Sequence, residues 1–456
     1  MKKTLLLTLA LGLAGAPSLM AGTVDVYITG ATAFRANVYT ACTKLFSPAP
    51  TICYGNAAHG GADSGFSSKT AAWAMTGTPI SGITNISGST LTVHGLFTGS
   101  IQGIQTVEQS TKLIFPNADS ANNTLCLTYA TNTPTIGFSD ASGVATPYPA
   151  KGNYVEEQVC IQPFVVVKSA ATVGAVTNIN NVTWEQLKYG IPQGRIPLAT
   201  WTDKITDTNT FVYLMERTKD SGTRRNETAG DYYQYADSVG IYIYDYTNNF
   251  FYTPSVLAAT AYGSSPNGVV GAAGLNNVNL NWGYGYVGGG DIANSLNNGN
   301  AANQAIGYLS IADARTVGTG GNWGNVISVN GLWPTAAGSG IRGTTATNDY
   351  SPITLGYYPC WGLEVLVHPV NPALISDQTI TKTQLGDQTT PGSFMGVFNA
   401  QTLINGGSPL VGSIENEIEL SKTSGIGTTG GATAIRLSDM LNSRAAVGGT
   451  ISPPFN

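Results

Sequence analysis

The 456-residue chain is short of charge: Lys and Arg number 21, Asp and Glu 26, and charged residues make up 10% of it. The formal net charge is −5, so the chain lacks the basic surface that non-specific nucleic-acid binding needs. It has three histidines, His59, His94 and His368, widely scattered. With no Cys-x-x-Cys and no His-x-x-x-His pair, a metal centre is the weaker reading. There is no P-loop, no HExxH and no GxSxG, which removes the common signatures of nucleotide hydrolysis, zinc proteolysis and α/β-hydrolase chemistry. After the first 21 residues no run stays apolar for the roughly 20 residues that a spanning helix needs.

What is present begins with an address. Lys2 and Lys3 precede an apolar stretch at 5–14 and then small residues ending in "LMAG". This is the pattern of a secretory signal peptide, with cleavage expected after Ala21 and a periplasmic or secreted product. Loss of Lys2 and Lys3 takes the formal charge from −5 to −7. No Cys stands at the cleavage point, so no lipid anchor is expected. Five cysteines remain: Cys42, Cys53, Cys126, Cys160 and Cys360. In an oxidising compartment pairing is the default. Spacing favours Cys42–Cys53, with Cys126–Cys160 as a second bridge and Cys360 left over. The 56 glycines suggest a loop-rich chain, while a hydrophobic content of 42% excludes disorder.

Along the chain, apolar and polar residues alternate in "VDVYITG" (24–30), a strand that stops at Gly. The next residues, 31–46, repeat apolar positions at helical spacing. Residues 47–90 read as an irregular Gly/Ser/Thr/Pro-rich excursion. "STLTVHGLF" is the next strand, "TGSIQGIQTVEQ" a helix opening on Gly-Ser, and "TPTIGFSDAS" (133–142) a strand running into Ser139-Asp140. "VCIQPFVVVKS" is a buried strand, "VTWEQLKYG" a helix closed by Gly190, and "TFVYLMER" another strand. "DYYQYADSVG" (231–240) reads as helix, and 260–345 as Gly/Asn-rich low complexity interrupted by "AIGYLSIADA". "PCWGLEVLVHP" is a late strand; 409–425 and "TAIRLSDMLNS" (433–443) suggest terminal helices. Strand–Gly–helix order points to an α/β sheet.

Charge concentrates in "ERTKDSGTRRNE" (216–227), where Arg217, Lys219, Arg224 and Arg225 surround Ser221, Gly222 and Thr223. Ser-Gly-Thr between a strand and a helix suits an anion. The first N–H groups of a helix lack partners within it, the dipole makes that end positive, a hydroxyl adds a donor, and Gly admits close approach. An Arg ending the preceding strand can grip two oxygens. Taken alone, the same residues are an ordinary helix cap beside a solvated basic patch. The pattern recurs, however, at 29–34, 98–100 and 138–140, and such junctions share the carboxyl ends of the strands, where ligands bind. Asp140 repels an anion unless the ligand carries a proton to donate, as phosphate does near neutral pH and sulfate does not. Such an acceptor selects between the two, although Asp140 is equally a helix cap. "ADSG" (62–65), with His59 or His94 as base, lacks a triad pattern. "GYGYVGGG" (283–290) contains GxGxxG without a clear strand–helix context. The aromatic run at 242–252 suits sugar stacking, or simply a hairpin.

The ordered set resembles the phosphate-binding proteins of bacterial phosphate ABC transporters, within the type II periplasmic-binding-protein fold. The matching stretches are "ITGATAF", "GSIQGI", "GFSDAS", "TWEQLKYG", "RTKDSGT" and "AIGYLS", over most of the mature chain. The resemblance implies phosphate-binding roles for Thr32, Ala33 and Phe34, with Phe34 offering its backbone N–H. It gives Ser100 a hydroxyl contact, Asp140 the proton-accepting carboxylate, Arg217 the guanidinium, and Ser221, Gly222 and Thr223 the helix-terminus donors. Ala33 stands where the family has Thr, with Thr32 one residue early. Lys219 stands where the family has Asp, and Asp220 precedes the Ser instead. The insertions at 47–90 and 260–345 are absent from the family.

The expectation is an α/β protein of two domains joined by two hinge crossings, with an interdomain cleft. Domain 1 is placed at 22–167 plus 313–456 and domain 2 at 168–312. The implied function is capture of inorganic phosphate, or a close oxyanion, for ABC-type uptake through a permease. A monomer is expected, with no cofactor, no metal, no enzymatic chemistry, no nucleic acid and no membrane span. The alternative is a surface or structural protein on the same fold that binds a glycan or protein partner.

Overall fold

The computed structural model describes residues 22–456 apart from 57–68, 144–145, 147, 149–151, 171–178, 218–220, 231–242, 246–249, 253–268, 271–277, 280–284, 287, 299–303, 319–322, 346–348, 401–410, 424–433, 442, 445–450 and 453–456. The signal peptide, His59, "ADSG", Lys219, Asp220 and the helix expected at 231–240 therefore lie outside the described residues.

The chain opens as its periodicity requires. Strand β1 (Thr23–Gly30) leads into helix α1 (Arg35–Thr43). Residues 47–90 are not a plain excursion: they contain β2 (Thr51–Tyr54) and β3 (Ala72–Gly77), which extend the sheet from β4 (Thr90–Leu96) by antiparallel pairing. Helix α2 (Ser100–Glu108) follows, then β5 (Thr124–Leu125), β6 (Ile136–Ser139) and the long β7 (Tyr154–Lys168). The second half of β7 is a buried run, Phe164 to Val167, as expected for a strand covered on both faces.

Next come β8 (Asn181–Val182) and helix α3 (Trp184–Gln193). Thr183 and Gln186 form a capping box at the start of α3. Its end is Gly194, left-handed at φ 68°, rather than the expected Gly190, which is an interior residue of the helix. Strands β9 (Arg195–Pro197) and β10 (Phe211–Met215), helix α4 (Gly222–Gly230), helix α5 (Gly289–Asn298), β11 (Ala305–Ser310), the short helix α6 (Ile311–Ala314), β12 (Val326–Val329) and β13 (Trp361–Pro369) complete the frame. The aromatic run forms an antiparallel pair, Ile243–Asp245 with Phe250–Tyr252. Helix α7 (Ile414–Thr423) occupies the first of the expected terminal helices. At 433–443 there is instead a single turn, Leu437–Asp439, and a strand beginning at Ser443.

The protein is a mixed α/β structure. Its main sheet has 13 strands among the described residues, in the order β9-β10-β11-β7-β13-β6-β1-β4-β3-β2-β5, with β12 on β7 and β8 on β12. β1 lies parallel to β4 and β6, whereas β13 is antiparallel to both β6 and β7. Two hydrophobic cores flank this sheet. One gathers Val26, Ile28, Phe34, Trp73, Phe138 and Leu366; the other gathers Val165, Leu187, Leu214, Ile292, Leu309 and Tyr358. They meet on β7 and β13: Cys160 belongs to the first core, Ile161 and Trp361 to the second, and the β7–β13 register shifts between Glu364 and Val365.

The cysteines pair differently from expectation. The bridge is Cys53–Cys126, while Cys42, Cys160 and Cys360 form no disulfide and are buried. The reason is strand pairing. β5 lies parallel to β2 with Cys53 opposite Thr124, and the Cys126 N–H donates to the Tyr54 carbonyl, which brings the two Cα atoms to 5.1 Å. Cys42 instead sits on the buried face of α1, and Cys160 at the junction of the cores. No helix among the described residues is long and apolar enough to cross a membrane.

Candidate functional site

Four chain segments converge where the two cores meet. Strand β6 ends in Ser139, and Asp140 follows it into a fully enclosed position, 1% exposed. Helix α2 begins at Ser100, whose hydroxyl donates to the Asp140 carboxylate. Helix α4 begins at Gly222, and the Thr223 hydroxyl donates to Asp140 Oδ2 at 3.1 Å. Arg217 follows β10 after Glu216, is buried, and exerts a favourable charge interaction on Asp140. Burial raises the Asp140 carboxyl above its ordinary range, against the pull of Ser100, Arg217 and Thr223. The hydroxyls at the two helix starts thus converge on one carboxylate, which stands where an anion would be held.

Gly222 is the tightest point. A Cβ added there would come within 1.7 Å of Asp140 Oδ1 and 2.8 Å of the Ser100 Cβ. Only a residue without a side chain lets α4 approach α2 this closely. Gly222→Ala should therefore cost about 1–3 kcal/mol of stability by overpacking, read by urea unfolding. Gly152→Ala, where an added methyl meets nothing, should leave the curve in place. Equal curves for both variants would mean that α4 is not held against Asp140.

The Arg217 guanidinium is balanced by several groups. Its Nε donates to the Tyr286 carbonyl at 3.3 Å, and Tyr286 N–H donates to the Glu216 carbonyl at 3.0 Å. Burial lowers the Arg217 pKa; the charges of Asp313, Asp140 and Asp291 oppose that, and Arg35 adds to it. Asp313 caps α6 together with Ser310, whose hydroxyl donates to its Oδ2 at 2.9 Å. Asp291 accepts the Gly288 N–H at 2.8 Å, at the start of α5.

Among the residues read from sequence, the structure brings together Ser100, Asp140, Arg217, Gly222 and Thr223. Ser221 is buried beside them and its Oγ accepts from the Arg224 N–H at 3.4 Å. Thr32, Ala33 and Phe34 form the turn into α1. The Phe34 N–H donates to the Ala31 carbonyl at 3.3 Å, and its ring packs on Phe138. That turn is fastened to the others through backbone: Ala31 N–H donates to Phe138 O, and Gly99 N–H to Gly30 O. Arg224 is not part of a solvated basic patch. It is 1% exposed, donates to the Arg217 carbonyl at 3.0 Å, and its charge offsets the burial that raises the Glu216 carboxyl. Arg225 is half-buried.

Sequence reading missed Arg35, Tyr286, Asp291, Asp313 and the buried Glu364. "GYGYVGGG" has no clear strand–helix context in sequence, yet Gly285–Tyr286 is a strand and α5 starts at Gly289. The available signal was its glycine-to-helix ending followed by Asp291. His94 is tied between the Pro116 carbonyl and Asp25, and His368 lies against Glu157, so both serve the packing. No group of three or more metal-ligating side chains occurs among the described residues.

No protein-family model matches the chain, and no curated protein matches it. Among solved structures it is similar to an ABC-type phosphate transport receptor from Vibrio cholerae, at 14% identity and a TM-score of 0.34, with 76% of this chain and 87% of that one covered. It is also similar to a phosphate-binding protein from Stenotrophomonas maltophilia, at 14% identity and a TM-score of 0.31, covering 76% and 79% of the two chains. Scores and identities this low transfer neither a fold nor a ligand. The mixed sheet and the buried Asp140 cluster stand on the chain's own strand order and side chains.

Proposed function

We propose that this chain is an exported solute-binding protein of two domains that captures inorganic phosphate, or a close oxyanion, in the cleft between them for ABC-type uptake through a permease. The observation that carries the reading is the convergence of Ser100, Asp140, Arg217 and Ser221–Thr223 from separate segments onto two helix N-termini. Asp140 is both the acceptor for those hydroxyls and the group an incoming anion must share them with. A ligand that brings its own proton can donate to Asp140; one without a proton meets an uncompensated carboxylate. Nothing in the mechanism requires a covalent step, and Thr32–Phe34 would close the site from the first segment.

The test is titration calorimetry with phosphate, sulfate and a glycan panel. Heat with phosphate and none with sulfate is expected, and no heat with phosphate at micromolar protein overturns the reading. Heat from a glycan alone would instead favour the surface or structural protein, whose Asp140 would hold the two helix starts together permanently. Asp140→Asn places an amide donor where an acceptor stood. It should erase preference for phosphate over sulfate by at least about tenfold, one hydrogen bond to a charged group being worth about 1.5–3 kcal/mol. An unchanged preference would show that Asp140 does not read the proton.

A further inference from the structure

Glu364 lies on β13 at the step where its register with β7 shifts. It is wholly buried, and neither carboxyl oxygen has a hydrogen-bond partner among the described residues. The strand pair carrying it crosses from one core to the other, and both α2 and α4 pack on β13. Asp140, at the N-termini of those helices, is the neighbour whose charge reaches it. A buried carboxyl with no donor cannot keep its charge and takes a proton instead. Burial first, and Asp140 second, push the Glu364 carboxyl well above its ordinary range. A protonated carboxyl has an O–H to give, and here it is left undelivered beside a site built of anion donors.

We propose that Glu364 is a proton-bearing member of the oxyanion site, donating its O–H to the bound anion from the strand pair that floors the cleft. This rests on the oxyanion reading of that site. The anion is accepted while Glu364 holds its proton and repelled once the proton is lost, so capture is linked to proton retention. The complex binds more protons than the free protein, and affinity therefore falls as pH rises through the Glu364 titration.

Other ionisable groups lie on the elements packed against β13. Cys160 faces Glu364 across the β7–β13 register, and Asp140, whose charge reaches Glu364, is itself acted on by Arg217. The one ionisable side chain of α2 is Glu108, at its far end. α4 brings Arg224, bound to the Arg217 carbonyl, with Arg225 and Glu227. His368, four residues along β13, lies against Glu157 of β7.

Glu364→Gln keeps the shape and a donor but removes the titration. Phosphate affinity should fall with pH more steeply in the wild type than in the variant, diverging by up to about tenfold per pH unit above the Glu364 titration. Calorimetry in buffers of different ionisation heat should also show the wild type taking up more protons on binding. Coincident profiles and equal proton counts overturn the inference while leaving the oxyanion site intact. Absence of phosphate binding to the wild type at every pH sinks the oxyanion reading itself, and this inference with it. A ligand-free measurement stands beside these. Raised in the folded state, the Glu364 carboxyl contributes stability that is complete below its unfolded pKa and is lost as pH rises through the folded one. Urea unfolding should thus weaken with pH more in the wild type than in Glu364→Gln, and parallel slopes would overturn the proposal.

Discussion

Replacing Arg217 with Ala should weaken phosphate binding about a thousandfold, or about 4 kcal/mol at 1.4 kcal/mol per decade. Two losses combine. The guanidinium is a planar fork whose charge-assisted bonds to an oxyanion form where water is excluded. Its removal also leaves Asp140, Asp291 and Asp313 without the cation they surround, and a buried charge stripped of its partner costs about 3–5 kcal/mol. Arg217→Lys should recover part of the affinity, since it restores the charge without the fork. The same argument fixes a pH signature in the ligand-free protein. Asp140 already sits above its ordinary range, and loss of Arg217 moves it higher. Its contribution is complete below the unfolded carboxylate pKa and is lost as pH rises. The melting temperatures of wild type and variant should therefore draw together at acid pH and separate towards neutrality. Calorimetry and thermal melts read both effects; undiminished affinity would place the ligand elsewhere.

Removing the Cys53–Cys126 bridge should cost about 4 kcal/mol of unfolding free energy. The residues are 73 apart in sequence, and the chain-entropy estimate for a loop of that length gives a cost of this size. The bridge fastens β5, only two residues long, to β2 at the edge of the sheet. Cys53→Ser/Cys126→Ser should lower the midpoint of urea unfolding and leave phosphate affinity unchanged, because β3 and β4 separate this edge from β1. An unchanged midpoint would mean that the bridge constrains nothing in the unfolded chain.

The parts of the fold visible in sequence are those whose own periodicity decides them. β1, α1, α2, β6, β7, β10, β11 and β13 alternate, repeat or run apolar over enough residues to declare themselves. β2 and β3 do not, because short strands among Gly, Ser and Thr exist only through the neighbours they pair with. The cysteine pairing failed for the same reason: Cys53 meets Cys126 by lateral pairing of β2 with β5, not by proximity along the chain. Gly190 looked like a helix stop, yet the helix continues until Gly194 supplies the left-handed residue. At the site, Ser100, Asp140, Arg217 and Ser221–Thr223 were legible because each stands at a strand-to-helix junction. Asp291 and Tyr286 were hidden in Gly/Asn-rich sequence that has no pattern of its own. Glu364 was hidden differently: one acid in an apolar strand reads as a solvent-facing position, and only the packing of α2 and α4 over it shows otherwise.

The two cores share β7 and β13 as a continuous antiparallel ribbon, interrupted by one register shift. A ribbon of this kind resists stretching, since that breaks its ladder, but turns about its long axis at low cost where the ladder is already broken. Torsion between the two cores would therefore gather at Glu364 and Val365, as strain in a twisted strap gathers at its narrowest point. Glu364 lies at the junction of the two cores, so a turn of one core against the other would bear directly on that carboxyl and on the proton it holds.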